Sequence, residues 1–417
     1  MESEVSLGVS SVEHHEAMVR LLRQHDVLHS ARLEAALRAV PRHLFVPEAS
    51  LEDAYGVYTA VTIKQGPAGV VLSSASAPQV VTAMLEQADV RPGHRVLEVG
   101  AGTGYNAAVV DVLVGEDGQV VTIEYDAEVA ARARETLIAA GHERVVVLHG
   151  DGRAGAAEVG PFDRILVTAG AFDVEEAWLD QLAPGGRLVV PLRLPWPLAA
   201  ALERVGDHWR SVSTETCGFI PVTGPGARMP RSVDVGGGAL VLRLEDDRPV
   251  DEAGLRDCLE GARAVEWSGV RVDDGPGWEA LHLWLMADPG TPGFTKISAS
   301  GQAVADGVVQ PLMPWGAPGF HRGATVAYLA NRRGLGGDGD RFEIAVVAHG
   351  ADAVALATTV AERLRAWDRG WRGRGAHHLE LHRTGGGDTT SGPVIAERAG
   401  QVLCAIWTPA LPGCVSA

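Results

Sequence analysis

Apolar residues first recur at helical spacing. Met18, Leu21 and Leu22, then Leu28, Leu33, Ala36 and Leu37, predict a helical stretch over residues 12–41 that stops at Pro41. Residues 45–76, with Gly66, Pro67 and Gly69 in their middle, read as loop and short strands. From Pro78 the pattern alternates between the two periods. It predicts a helix over 78–88, a strand over 95–99, a helix over 105–114, a strand over 119–124, a helix over 127–140 and a strand over 145–149. A strand over 164–167, a helix over 175–181 and a strand over 187–191 come next, then β-like runs at 201–205 and 209–214. Short apolar runs between amphipathic helices predict an α/β, doubly wound parallel sheet covered on both faces.

A turn-rich break at 223–230 (TGPGARMP) suggests three regions: a helical cap and loop over 1–77, a core over 78–228 and an accessory domain over 229–417. In the last, β-like runs fall at 239–244, 264–272 and 282–286. A strand–helix–strand unit lies at 342–347, 352–367 and 377–381, its helix burying Leu356, Val360, Leu364 and Trp367. This half reads as α+β, with flexible loops at 336–340 and 384–392.

Composition narrows the class. The 417 residues, 46% apolar, suffice for two or three cores. A net charge of −17 repels phosphate backbones, so nucleic acid is a poor candidate partner. Cys217, Cys258, Cys404 and Cys414 form no C-x-x-C pair and read as reduced thiols of a cytoplasmic protein. No run reaches the roughly 18 apolar residues of a membrane span. The N-terminus lacks the basic end and apolar run of a secretory signal. His14-His15 and His377-His378 have no partners at metal spacing, and no metal is expected.

The chemistry concentrates in Val96-Leu97-Glu98-Val99-Gly100-Ala101-Gly102-Thr103-Gly104. Glycines at a strand end let a ligand approach the backbone. A dinucleotide site wants G-x-G-x-x-G, with pyrophosphate on the helix N-terminus. Here the spacing is G-x-G-x-G behind an acid, which suits a cationic nucleoside without phosphate, S-adenosyl-L-methionine. Glu124, ending the next strand, is placed to accept both ribose hydroxyls. Asp151 in Gly150-Asp151-Gly152 is placed for the adenine amino group, although Asp-Gly is also a common turn pair. The fourth strand runs into Thr168-Ala169-Gly170 without the Asn/Asp-Pro-Pro-aromatic run of base methylation, which argues against a nucleobase acceptor.

The segment Val40-Pro41-Arg42-His43-Leu44-Phe45-Val46-Pro47, with Ala54-Tyr55, Ser76-Ala77-Pro78, the Glu98–Gly104 loop, Gly150-Asp151-Gly152 and the 182–191 run, resembles protein L-isoaspartate O-methyltransferases over residues 12–224. The resemblance implies a Rossmann-like class I methyltransferase fold. It departs at residues 61–76, where the repair enzymes read P-I-G-x-G-Q-T-I-S and this chain carries a different, serine-rich loop. That loop and the long extension resemble a peptide-tailoring branch that methylates an aspartate side chain in ribosomally made peptides such as lanthipeptides. Trp267-Ser268-Gly269-Val270, Ala327-Tyr328-Leu329 and Arg332-Arg333 are similar to its extension.

By that resemblance Ser76 and Ser74 are the catalytic candidates, and Ser73, Gln79, Glu98, Gly100, Gly102, Gly104, Glu124, Asp151, Gly152 and Thr223 the cofactor contacts. Tyr55 and Lys64 are candidate substrate contacts, Lys64 steering a carboxylate or simply standing solvated on its loop. The expected partner is a modified precursor peptide, with no nucleic acid or membrane. The expected reaction is aspartate methylation followed by collapse of the ester to succinimide and isoaspartate; repair of isoaspartyl proteins is the alternative. Arg363, Arg365, Arg369, Arg372 and Arg374 around Trp367 and Trp371 either grip an acidic peptide or form a solvated face over core tryptophans. Trp278, Trp284 and Trp315 read as core.

Overall fold

The computed structural model describes residues 10–225, 227–245, 248–273, 278–313, 316–333, 341–373, 377–384, 393–398 and 400–407. Cys414, Trp315, Arg374, the 336–340 loop and most of the 384–392 loop lie outside the described residues, as do the side chains of Arg332 and Arg333. The chain divides into two compact units. One comprises residues to Leu192 with Leu198–Arg228; the other comprises Arg193–Pro197 with the chain from Met229 onward.

The first unit opens with α1 (Ser11–Gln24), α2 (Ala31–Ala39) and α3 (Leu51–Tyr55). The single helical stretch expected over 12–41 is thus two helices. Ser10 and Glu13 form a capping box on α1, Asp26 turns left-handed at φ 55°, and Ser30 caps α2 through the Leu33 amide. The apolar rhythm runs on across the break because Leu22 and Leu28 both reach the same core. Residues 61–75 form an antiparallel hairpin of β1 (Val61–Gln65) and β2 (Val71–Ala75), bulged at Lys64.

The core continues as α4 (Pro78–Ala88), β3 (Arg95–Val99), α5 (Tyr105–Val114), β4 (Gln119–Glu124), α6 (Ala127–Ala139), β5 (Val146–His149), β6 (Phe162–Val167), α7 (Glu176–Asp180), β7 (Leu182–Leu192), β8 (Leu198–Val205) and β9 (His208–Thr216). Within this unit the strand order is β9-β8-β7-β6-β3-β4-β5. Strands β3 to β7 pair in parallel, whereas β7-β8 and β8-β9 pair antiparallel. The wholly parallel sheet expected from the alternation is therefore corrected at its β9 end. No helix separates β7, β8 and β9, and short connections can join only antiparallel neighbours. Strand order reverses between β3 and β6, which opens a crevice beyond their carboxyl ends.

The second unit contains β10 (Arg231–Val235), β11 (Leu240–Leu244), α8 (Glu252–Arg256), β12 (Arg263–Asp273), α9 (Trp278–Ala287), β13 (Thr295–Ala299), α10 (Gly301–Ala305), β14 (Ala317–Arg322), β15 (Thr325–Arg333), β16 (Arg341–His349), α11 (Ala353–Gly370), β17 (His377–Arg383), β18 (Val394–Arg398) and β19 (Gln401–Trp407). Seven strands form an antiparallel sheet in the order β10-β11-β13-β14-β15-β16-β12, and β17, β19 and β18 pair antiparallel. The period-two alternation of β15 sends Ala327 and Leu329 into one core and Val326 and Tyr328 into another. On the first face lies α11, burying Leu356, Val360, Leu364 and Trp367 as its spacing requires.

The β-like run expected at 282–286 is instead part of α9. Six of its ten residues, Leu281 to Leu285 and Ala287, are buried, and a helix covered nearly all round shows no apolar stripe to betray its period. A buried ion pair joins Arg193 to Glu245 at 2.6 Å, and Arg243 reaches the other carboxylate oxygen at 2.8 Å. Among the arginines expected to grip a peptide, Arg365 binds Glu266 at 2.8 Å and Arg372 binds Asp368 at 2.9 Å while lying over Trp367.

Candidate active site

The turn after β3 needs its glycines for two different reasons. Gly100 has φ 104°, open only to glycine, and a Cβ there would stand 2.6 Å from the Thr168 hydroxyl at the end of β6. Gly104 begins α5 at φ 86° against Leu137, so it serves helix packing. Between them Gly102 at φ 52° faces the Ser74 carbonyl, which brings the hairpin over the turn.

Glu98, next to last in β3, is buried. Its Oε1 accepts from Asn106 Nδ2 at 2.7 Å and its Oε2 from Thr122 Oγ1 at 2.6 Å. Burial pushes its carboxyl up from 4.5 to about 7, the nearby Glu124 adds to the rise, and the two hydrogen bonds oppose it. Glu124, at the tip of β4, accepts from the Gly102 amide at 3.2 Å and from the Asp126 amide at 3.1 Å. Thr168 Oγ1 donates to the Gly100 carbonyl at 2.7 Å.

These groups bound a cavity of about 530 Å³ in the first unit. Its wall brings together Ser73, Ser74, Ser76, Glu98, Gly100, Gly102, Glu124, Gly152 and Thr223 from the residues singled out in the sequence. Thr223 arrives through a bridge in which the Gly170 amide donates to the Ile220 carbonyl and the Val222 amide to the Gly170 carbonyl.

Five others stand outside the wall. Asp151 caps a short 3-10 turn by accepting from the Arg153 amide at 3.0 Å. Gln79 lies in the first turn of α4, its amide donating to the Val57 carbonyl. Gly104 faces Leu137. The Tyr55 hydroxyl meets His43 Nδ1 at 2.7 Å. Lys64 Nζ pins the hairpin to α6, donating to Asp126 at 2.6 Å and Glu128 at 2.7 Å.

The wall also holds residues that sequence reasoning passed over: Arg42, Asn106, Thr168 and Phe219. Arg42 stood inside a quoted motif, but nothing in a sequence marks an arginine as buried. Asn106 carries the one available signal, an amide side chain in the first turn of the helix after the glycine turn.

The donor set fits S-adenosyl-L-methionine. Two carboxylates approach from neighbouring strands, a glycine turn leaves backbone open between them, and the cavity lies where strand order reverses. Glu98 and Glu124 can meet the cationic end and the ribose hydroxyls of that cofactor.

Comparison with known proteins agrees. Residues 13–226 match the family described as protein-L-isoaspartate(D-aspartate) O-methyltransferase. A protein-L-isoaspartate O-methyltransferase of Methanopyrus kandleri is 48% identical over 220 residues, covering 50% of this chain and 91% of its own. Protein-L-isoaspartate O-methyltransferase 2 of Archaeoglobus fulgidus is 40% identical over 218 residues, covering 51% of this chain and 94% of its own. A solved Plasmodium falciparum structure, a putative protein-L-isoaspartate O-methyltransferase in complex with S-adenosyl-L-homocysteine, covers 50% of this chain and 98% of its own at 19% identity and a TM-score of 0.43. Matched over half its length by this family, the chain belongs to the protein-L-isoaspartate(D-aspartate) O-methyltransferases, carboxyl methyltransferases that depend on S-adenosyl-L-methionine.

Proposed function

We propose that this member methylates an aspartate side-chain carboxylate in a ribosomally made, modified precursor peptide in the cytoplasm. The supporting observation is the second unit. The Methanopyrus relative is covered over 91% of its length by only 50% of this chain, and the family match ends at residue 226. The chain beyond that residue has a seven-stranded antiparallel sheet and a core of its own. An enzyme that repairs many damaged proteins through short exposed segments has no need of a further recognition unit; one devoted to a single folded peptide does. The hairpin over 61–75, which departs from the repair-enzyme motif, supports the same reading.

The mechanism is set by the acceptor. A carboxylate has a reference pKa of about 4 and is ionised at neutral pH, so no general base is required. Bound S-adenosyl-L-methionine supplies an electrophilic methyl group. Glu98 and Glu124 hold the cationic cofactor. Ser76, beside the cavity, orients the acceptor oxygen by a neutral hydrogen bond, and the hairpin limits water around it. After transfer the adjacent backbone amide nitrogen attacks the ester carbonyl. The N–C bond forms, the C–O bond to methoxide breaks, and methoxide leaves with the amide proton as methanol, giving succinimide.

Incubation with a ring-closed, ribosomally made peptide that carries an aspartate tests the proposal. Intact-mass spectrometry is expected to show gain of one methyl group, then loss of methanol. Turnover of linear isoaspartyl peptides with none of the ring-closed peptide would favour repair, the activity that the names of the matched relatives carry.

A further inference from the structure

The cavity of the first unit is charged oppositely in two places. Glu98 and Glu124 supply the acidic part, and the charge of Glu124 raises the Glu98 pKa. Arg42 is not among the charges acting on Glu98. It lines the same cavity from the side of the serine loop.

The short 3-10 turn Arg42–Leu44 sends the Arg42 side chain inward, and the residue is fully buried. Its Nε donates to the Ala54 carbonyl at 2.8 Å, and its Nη2 to the Ser76 carbonyl at 2.8 Å and the Ala75 carbonyl at 3.2 Å. The guanidinium carbon lies 4.9 Å from the Tyr105 ring centre. Its Nη1 has no hydrogen-bond partner among the described residues, nor has the Tyr105 hydroxyl. The ionisable groups that act on it are the phenols of Tyr105 and Tyr55, both raised by burial and so neutral at pH 7.

Every partner is therefore neutral, while a guanidinium keeps its proton. A buried cation surrounded by neutral groups is unfavourable alone and gains when an anion enters the adjoining space. Ordinary scaffolding of a loop could be done by a neutral donor; the unbalanced charge calls for a further role.

We propose that Arg42 is the positioning residue for the acceptor carboxylate. Its fork fixes the backbone at Ser76, and its unbalanced charge makes that part of the cavity select an anionic acceptor over its neutral isostere. The inference rests on the reading of the protein as a carboxyl methyltransferase and adds the residue that chooses the carboxyl form.

Full-length wild type, Arg42→Met and Arg42→Lys are compared by three readouts. These are the Kd of S-adenosyl-L-homocysteine, the kcat and KM for an aspartyl peptide that wild type methylates, and the binding of that peptide against its asparaginyl counterpart. Arg42→Met is expected to leave the Kd within about threefold, to raise KM about tenfold or more, and to erase the preference for aspartyl over asparaginyl peptide. Arg42→Lys is expected to keep the preference and lose kcat, because the charge remains and the fork is lost. An Arg42→Met enzyme with wild-type KM and preference overturns the inference. So does one whose cofactor affinity falls in step with its activity, the mark of a purely structural role. If Arg42→Met does not fold, wild type decides: a preference of about fivefold or more for the carboxylate supports the role, and equal binding of the two peptides overturns it. A wild-type enzyme that methylates no carboxyl group refutes the underlying reading instead.

Discussion

Cofactor binding is expected to expel a proton from Glu98. In the free protein burial holds this carboxyl at about 7, so near neutral pH roughly half the molecules carry the proton. A cationic ligand beside it favours the charged form. If the bound value returns to the ordinary 4.5, affinity at pH 6 is reduced by the factor 1 + 10^(7−6), about tenfold, and at pH 8 hardly at all. Affinity for S-adenosyl-L-homocysteine, which keeps the cationic amino group, should thus rise about tenfold from pH 6 to pH 8, with about half a proton released per binding event at pH 7. Calorimetry in two buffers of different ionisation enthalpy measures both quantities. The cofactor-free protein gives the matching sign. Between 4.5 and 7 the folded state holds a proton that the unfolded state has lost. Stability is therefore greatest below 4.5 for this group and declines as pH rises through 7, by at most about 3 kcal/mol. A Kd flat between pH 6 and 8, with no proton exchanged, would refute the reasoning, because Glu98 would then lie out of reach of the ligand's charge.

Other perturbations are set by the same geometry. Gly100→Ala meets the Thr168 hydroxyl at 2.6 Å in a glycine-only conformation and should lower cofactor affinity more than about tenfold, whereas Gly102→Ala, with its nearest contact at 3.6 Å, should lose only a few-fold; both Kd values are read by calorimetry. Glu124→Ala should weaken cofactor binding by about 10- to 100-fold if its carboxylate accepts the ribose hydroxyls; 2′-deoxy and 3′-deoxy analogues should then narrow the gap between wild type and variant, and the 2′,3′-dideoxy analogue should bind both alike. Arg193→Ala should destabilise the second unit by about 3–5 kcal/mol in urea unfolding, since it leaves the buried Glu245 carboxylate without its closest partner. Lys64→Ala, losing one part-buried and one exposed ion pair, should change thermal stability little, so that any rise in peptide KM reports displacement of the hairpin.

Much of the first unit is legible in the chain because its strands and helices obey separate periods. The bounds of α4, β3, α5 and β4 coincide with the apolar runs, and the acids near the carboxyl ends of β3 and β4 reach the cavity wall. The features that escaped did so for physical reasons. Asp26 breaks a helix without disturbing the apolar rhythm, so the break shows only in the left-handed backbone. The buried α9 has lost its polar face and with it the signal that separates helix from strand. In the second unit β10, β13, β14, β15, β18 and β19 were not anticipated. Central strands such as β15 are covered on both faces, and edge strands such as β18 carry charged residues, so neither alternates cleanly. Arg42 escaped because its role depends on burial, which tertiary packing alone decides.

The most direct test asks where the methyl group goes. The protein is incubated with S-adenosyl-L-methionine labelled in its methyl group and an aspartyl or isoaspartyl peptide, and the product is exposed to mild base. Carboxyl methylation predicts a base-labile label recovered as volatile methanol, with a peptide lacking the acceptor carboxylate left unlabelled. A label that survives base on a nitrogen or carbon atom, or transfer to the peptide without the carboxylate, would contradict it.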